Sequence, residues 1–294
     1  MTSVKRYVLL ALTCAALPAA AVLAQPKATP PKPASPFAGQ PFKPKLDPPT
    51  AADWRTVDPQ NLLVIETTKG RILVEMIPEV APQAVARIKE LAKEHFYDGL
   101  TFHRVVSGFM AQGGDPKGTG EGGSSKPDLP GEFAFRRGPG APYTKLTGGS
   151  GLEDGFVKSM AVRGQNGDLA VMTADGKVSG WGLWCPGTAG MARNTEPDSA
   201  NSQFYLMLGF NAGLERKYTP WGRVVIGQDV VKALKVGEPV VDPDKMTSIR
   251  VAADLPADQQ PKVQVVDAAG PWVKAAAKYA ADACDIELPA RLVN

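Results

Sequence analysis

The sequence predicts a mainly β protein, folded as a closed barrel or a sandwich with helical caps. Short runs of β-forming residues recur along the chain, whereas only two segments have the spacing of an amphipathic helix. The 30 glycines and 27 prolines exceed average usage and favour many turns and loops over a helical bundle. With 294 residues, 44% of them hydrophobic and 21% charged, the chain has the composition of a soluble globular protein with a sizeable core.

The first residues, 1–24, have the pattern of a secretory signal peptide. Lys5 and Arg6 precede an apolar run over residues 7–17, and Ala24 ends a small-residue cleavage site. The apolar run is too short to span a bilayer comfortably, so we expect no membrane span after removal of the signal. The pattern therefore predicts an exported protein, located in the bacterial periplasm.

Residues 25–53 are predicted to be a proline-rich linker. Prolines recur every few residues from Pro26 to Pro49, which prevents a hydrogen-bonded ladder and favours extended polyproline II. We expect this segment to space the folded part from the export signal. A proline-rich ligand for a partner protein is the alternative.

The folded domain, 54–255, is predicted to begin with a β-hairpin. Residues 61–66 and 71–77 are two β-like runs, and the apolar residues of the second run alternate so that they share one face. Pro82 then opens a helix, in which apolar residues recur at helical spacing. One short amphipathic helix therefore follows the hairpin.

Residues 202–208 predict a strand with two different faces. Alternation places Phe204, Leu206 and Leu208 on one face and Gln203, Tyr205 and Met207 on the other. A second short helix is predicted at 227–236, and a last strand at 246–254.

Charge and histidine content argue against two classes of protein. Removing Lys5 and Arg6 lowers the formal net charge from +3 to +1, which disfavours a nucleic-acid binder because such proteins neutralise many phosphates. His95 and His103 have no spacing to the cysteines that resembles a metal site, so we expect no metal.

Two cysteines, Cys185 and Cys284, remain once residues 1–24 are removed. In an oxidising compartment an even pair indicates a disulfide, and closing so long a loop would stabilise the fold by about 4 kcal/mol on the chain-entropy model. Two buried free thiols are the alternative, and the sequence leaves both open.

Two stretches carry the strongest signal for function. "FHRVVSGFMAQGGD", residues 102–115, places an arginine, two large apolar residues and an amide close together, and "MARNTEPDSANSQFYLML", residues 191–208, follows much later. In residue pattern and in order along the chain they resemble the two diagnostic stretches of the cyclophilin family of peptidyl-prolyl cis-trans isomerases. The resemblance covers roughly residues 60–255 and implies an eight-stranded antiparallel β-barrel closed by two helices.

The resemblance also implies which residues form the site. Arg104 matches the catalytic arginine of the family. The positions that match its proline pocket and peptide groove are Phe109, Met110, Gln112, Ala192, Arg193, Gln203, Tyr205, Leu214 and Tyr218. The expected ligands are proline-containing peptide segments of client proteins, bound by a monomer without metal or organic cofactor.

The reaction explains why an arginine would lie close to large apolar residues and an amide. Rotation about an X-Pro bond has a barrier near 20 kcal/mol because the amide C–N bond has partial double-bond character. A donor that reaches the prolyl nitrogen as conjugation is lost would stabilise the twisted transition state, and arginine is charged, stiff and rich in donors. A binding or chaperone module that keeps the groove without turnover is the alternative.

Several positions depart from the family pattern. Tyr205 stands where phenylalanine is frequent, Tyr218 where histidine is, and Arg193 where asparagine is. Gly213 replaces a tryptophan that many members use to hold cyclosporin, so strong cyclosporin binding is not expected.

Two additions lengthen the chain beyond a compact member of the family. A loop insertion at about 135–187 includes Trp181 and Trp184 next to the groove strand, and is predicted to form a lid or an extra wall, with an ornamental surface loop as the alternative. Residues 256–294 are predicted to form a helical extension packed on the barrel. A bond from Cys284 in that helix to the insertion would join both additions.

Overall fold

The computed structural model describes residues 46–148 and 151–293. The predicted signal peptide, 1–24, and residues 25–45 of the predicted linker lie outside the described residues. Within the described ranges, no helix combines the length and the apolar character needed to cross a membrane.

Short strands make up most of the regular structure. They are β1 Trp54–Thr56, β2 Leu62–Thr67, β3 Gly70–Met76, β4 Arg104–Val106, β5 Met110–Gly113, β6 Phe135–Arg137, β7 Tyr143–Gly148, β8 Leu152–Val157, β9 Met160–Gln165, β10 Val178–Gly182, β11 Thr188–Met191, β12 Phe204–Met207, β13 Pro220–Ile226, β14 Met246–Val251, β15 Lys262–Val266 and β16 Ala290–Val293. The α-helices are α1 Pro82–Lys93, α2 Gln228–Lys232 and α3 Pro271–Ala276.

The main sheet has eight strands in the order β14-β2-β3-β13-β11-β12-β5-β4, and every neighbouring pair is antiparallel. The sheet curls into a half-barrel, so the prediction of a closed barrel is wrong. The edge strands β14 and β4 do not pair with each other, because the chain leading into β14 lies beside β4 instead and joins Gly237 to Val105. The predicted mainly β class and the count of eight strands in this sheet are confirmed.

The predicted hairpin is present as β2 and β3, and α1 begins at Pro82 as expected. Proline suits that position because the first N–H of a helix has no partner within the helix. The inner face of the sheet and the apolar face of α1 share one core, to which Ile72, Ile88 and Trp221 contribute. Helix α2 is shorter than the predicted 227–236.

Strand β12 has the two faces that its alternation predicts. Phe204 and Leu206 lie in the core cluster between the sheet and α1. Tyr205 and Met207 lie in a separate cluster on the opposite, outer face. The outer wall of the half-barrel is therefore apolar at this strand.

The predicted loop insertion is a five-stranded antiparallel sheet in the order β6-β10-β9-β8-β7, so its description as a loop is wrong. Val157, Met160 and Val162 pack against Ile77 and Val80, which follow β3. This apolar contact attaches the second sheet to the main body.

The C-terminal segment is also more β-like than predicted. It contributes β15 and β16 to a three-stranded sheet with β1, while α3 covers only six residues, so the prediction of a helical extension is wrong for most of its length. Cys284 lies in the 3₁₀ turn Ala283–Asp285, where the Asp282 side chain accepts a hydrogen bond from its backbone N–H. That cap favours a new short turn over continuation of α3.

Ordered contacts start before the predicted domain boundary at Trp54. Trp272 Nε1 donates to the carbonyl of Asp47 at 2.9 Å. Asp53 is buried, and its carboxylate accepts hydrogen bonds from both the backbone and the hydroxyl of Thr50. Residues 46–53 therefore belong to the folded body rather than to a linker.

A disulfide bond joins Cys185 to Cys284 in the structure. Cys185 lies three residues before the start of β11 in the main sheet, whereas Cys284 belongs to the C-terminal segment. Both residues lie in one apolar cluster, which also contains Leu183, Val265 and Ile286.

Candidate active site

Three neighbouring strands bring the predicted site residues together on the outer face of the half-barrel. Arg104 on β4 is paired with Gln112 on β5, and Gln112 is paired with Tyr205 on β12. Directly opposite residues of an antiparallel sheet project to the same face. Two stretches that are distant in sequence therefore present one row of side chains.

Arg104 is held by contacts on two sides. Its Nε donates to Glu238 Oε2 at 2.7 Å, and its Nη1 lies 3.4 Å from Gln112 Oε1 and 4.0 Å from the sulfur of Met110. Its Nη2 has no hydrogen-bond partner among the described residues. The guanidinium thus lies beside apolar side chains and retains donors for a ligand.

Two glutamines continue this polar row along the groove. Gln112 Nε2 donates to Gln203 Oε1 at 2.9 Å, and Gln203 Nε2 donates to the carbonyls of Gly120 and Gly122 at 2.9 and 2.7 Å. The chain of hydrogen bonds therefore fixes the orientation of both amides relative to Arg104.

A pocket of about 270 Å³ adjoins the two glutamines. Gln112, Gln203, Ala192 and Arg193 line it together with the loop that contains Gly120. The lining of this pocket is therefore rich in polar groups.

Asp115 organises that loop. Its side chain is buried, and its carboxylate oxygens accept hydrogen bonds from the backbone N–H groups of Lys117, Thr119 and Gly120 at 2.7 to 2.8 Å. Burial raises the pKa of the Asp115 carboxyl, but the backbone donors outweigh burial and hold the pKa below its ordinary value of 3.8. A Cβ at Gly122 would lie 1.8 Å from the Asp115 carboxylate, so the close approach requires glycine.

We expect Asp115→Asn to lower the free energy of unfolding by about 2 kcal/mol at neutral pH, because one charged acceptor of backbone N–H groups is lost. The folded-state pKa is depressed, so the stabilisation is complete above about pH 4 and is lost as the pH falls through the folded pKa. Urea unfolding at several pH values measures this. The exposed Asp258→Asn is the control, and a difference between the two variants that does not shrink on acidification would contradict the assignment.

An apolar cluster adjoins the polar row. Its buried members are Met110, Trp184, Tyr205 and Met207, and its half-buried members are Val106, Phe109, Ala192, Leu214 and Tyr218. The structure therefore gathers the apolar residues that the sequence assigned to a proline pocket, and the half-buried ones offer surface to a ligand.

Trp184 supports this cluster from the end of the insertion. Its ring stacks on Tyr205, with centroids 5.4 Å apart, and meets Tyr218 edge-on at 6.5 Å. A Cβ at Gly190 would lie 2.3 Å from the Trp184 ring, so glycine at that position leaves room for it. Trp184 is fully buried and forms part of the wall of this cluster.

The guanidinium of Arg193 makes most of its contacts within the protein. Its Nε donates to the Lys217 carbonyl at 2.9 Å, its Nη1 donates to the Asn194 carbonyl at 2.8 Å, and its guanidinium lies 4.4 Å from the centroid of the Tyr218 ring. We conclude that Arg193 holds Tyr218 in place as well as lining the groove.

Sequence reasoning missed Glu238, which contacts the predicted catalytic arginine. It lies 134 positions after Arg104, outside both diagnostic stretches, and no local pattern marks it. Only the register between β4 and the segment before β14 brings the two side chains together.

Comparison with known proteins identifies one family. The family model described as "Cyclophilin type peptidyl-prolyl cis-trans isomerase/CLD" matches residues 62–252. A "Probable peptidyl-prolyl cis-trans isomerase" of Brucella suis is 33% identical over 213 residues, covering 67% of this chain and 85% of that protein. A "Peptidyl-prolyl cis-trans isomerase-like 1" of Rhizopus delemar is 33% identical over 173 residues, covering 58% and 78%.

A solved structure agrees with these matches. The crystal structure of cyclophilin AquaCyp293 from Hirschia baltica superposes with a TM-score of 0.76 at 36% identity, covering 81% of this chain and 93% of that one. The share of this chain that the solved structure covers is larger than the region matched by the family model.

Proposed function

The chain belongs to the cyclophilin family and is a peptidyl-prolyl cis-trans isomerase, consistent with EC 5.2.1.8, and we propose that Arg104 supplies its transition-state stabilisation. Cyclophilins bind proline-containing peptides, so the ligand of the groove is a segment that contains an X-Pro bond. The observation that carries the proposal is the position of the Arg104 guanidinium, 4.0 Å from the Met110 sulfur and beside the apolar cluster.

The chemistry requires no bond to be made or broken. The pyrrolidine ring would lie against the half-buried apolar side chains, Phe109, Leu214 and Tyr218 among them. As the amide twists, its nitrogen regains a lone pair, and a donor from Arg104 stabilises that lone pair more strongly in the transition state than in the planar ground state. Gln112 and Gln203 would bind the peptide backbone on either side, since their orientation is already fixed.

We further propose that the protein acts on exported proteins as they fold. The sequence pattern of residues 1–24 supports export, and the Cys185–Cys284 bond suits an oxidising compartment such as the periplasm. A mature protein recovered from the periplasm and starting at Gln25 would agree with this location, whereas an unprocessed cytoplasmic product would oppose it.

Catalysed refolding tests the proposed function. A small test protein whose slow refolding phase is limited by an X-Pro bond should refold faster with catalytic amounts of the wild-type enzyme. Arg104→Lys keeps the charge but loses the planar set of donors, so we expect about tenfold less acceleration. Equal acceleration by both enzymes would reject the role of the guanidinium.

A further inference from the structure

Glu238 lies against Arg104 because the backbone places it there. The N–H groups of Val105 and Gly237 donate to each other's carbonyls, both at 2.9 Å. The N–H of Val240 donates to the carbonyl of His103, also at 2.9 Å. The Val105–Gly237 bridge is antiparallel, so the next residue pair sets Glu238 opposite Arg104. Beyond that pair the register shifts by one residue, because Pro239 has no N–H and Val240 bonds to His103 instead.

The resulting ion pair uses a particular atom of the guanidinium. Glu238 Oε2 accepts from Nε at 2.7 Å, whereas Nη1 lies on the side of Gln112 and Met110. A guanidinium is planar, so fixing Nε on Glu238 restricts the plane of the whole group and keeps Nη1 directed toward Gln112 and Met110. Without this contact the side chain would have more rotamers available to it.

The contact contributes little to stability. The side chains of Arg104 and Glu238 are 39% and 51% exposed, and an ion pair with that much solvent around it adds little to the free energy of unfolding. A carboxylate at this position must therefore act mainly on the orientation of the arginine rather than on the fold.

We propose that Glu238 is a positioning residue for the isomerase reaction, which fixes the plane of the Arg104 guanidinium so that Nη1 faces the X-Pro bond. The inference rests on the proposed catalytic role of Arg104. Because Glu238 contacts the arginine through Nε, it affects the transition state through Arg104 and leaves affinity for the planar peptide nearly unchanged.

The test compares Glu238→Ala, Glu238→Gln and Asp242→Asn. Ala removes the acceptor, and we expect kcat/KM to fall about tenfold, with peptide Kd unchanged within about twofold. Gln keeps an acceptor oxygen for the Nε–H and should recover most of this loss. Asp242 is the control, since it lies four residues after Glu238 and pairs with Lys235 at 2.5 Å, so its variant should keep wild-type kcat/KM.

Two further readouts separate positioning from other causes. Thermal unfolding should place all three variants close to the wild type, and the Arg104 Nε–H signal in NMR should exchange faster with water in Glu238→Ala. Wild-type kcat/KM in Glu238→Ala would overturn the inference, as would a loss explained by unfolding or by a parallel rise in Kd. An Arg104→Ala enzyme with full activity would instead remove the proposed function on which the inference rests.

Discussion

Replacing Arg104 with alanine is expected to lower kcat/KM for an X-Pro peptide by about a thousandfold, which corresponds to about 4 kcal/mol of transition-state stabilisation. The loss is large because the donor acts only when the amide nitrogen has regained its lone pair, and Arg193, the other arginine of the groove, already donates to the carbonyls of Lys217 and Asn194. A protease-coupled assay or NMR exchange spectroscopy measures the rate.

The same variant should keep its fold and its affinity for the peptide. The Arg104 side chain is 39% exposed, so its ion pair adds about 1 kcal/mol or less to stability. Peptide Kd should change only a few-fold, since the apolar cluster and the two glutamines remain. Arg136→Ala is the matched control, because Arg136 also forms an exposed ion pair, with Asp175 at 2.6 Å.

An Arg104→Ala enzyme that isomerises at the wild-type rate would remove the arginine mechanism. The apolar cluster alone would then have to account for catalysis, by desolvating the amide. A variant that loses binding in step with turnover would instead make Arg104 a peptide-anchoring residue.

The site was predictable to the extent that it lies in contiguous motifs. Residues 102–115 contain the whole hairpin of β4 and β5, so the pairing of Arg104 with Gln112 follows from local strand pairing. Tyr205 and Gln203 follow from period-2 alternation in β12. Glu238 could not be predicted, since its contact depends on a long-range register that leaves no trace in local sequence.

The added segments show the limits of pattern reading. The sequence predicts a loop at the insertion, yet Asp154 on β8 and Arg163 on β9 pair directly across the two strands at 2.6 Å. It predicts a helical extension at the C-terminus, but α3 ends at Ala276. In both cases partners elsewhere in the fold decided the outcome over local propensity.

The second large effect concerns stability, and it depends on the bond between Cys185 and Cys284. The two residues are separated by 99 positions, and a closed loop of that size restricts the unfolded chain by about 4 to 5 kcal/mol on the chain-entropy model. We expect Cys284→Ser to lower the free energy of unfolding by that amount in urea titrations. Reductant should destabilise the wild type similarly and leave the variant unaffected.

We expect Cys284→Ser to change catalysis much less than stability, because other contacts hold the neighbouring wall of the site in place. The carbonyl of Trp184 accepts from Asn211 N–H at 3.0 Å, the carbonyl of Cys185 accepts from Thr188 N–H at 3.0 Å, and Trp184 stacks on Tyr205. Below its unfolding transition, Cys284→Ser should therefore keep kcat/KM within about twofold of the wild type. If reductant leaves the unfolding midpoint of the wild type unchanged, the disulfide bond does not stabilise the fold. If the folded variant loses much of its activity, the bond is needed to position Trp184.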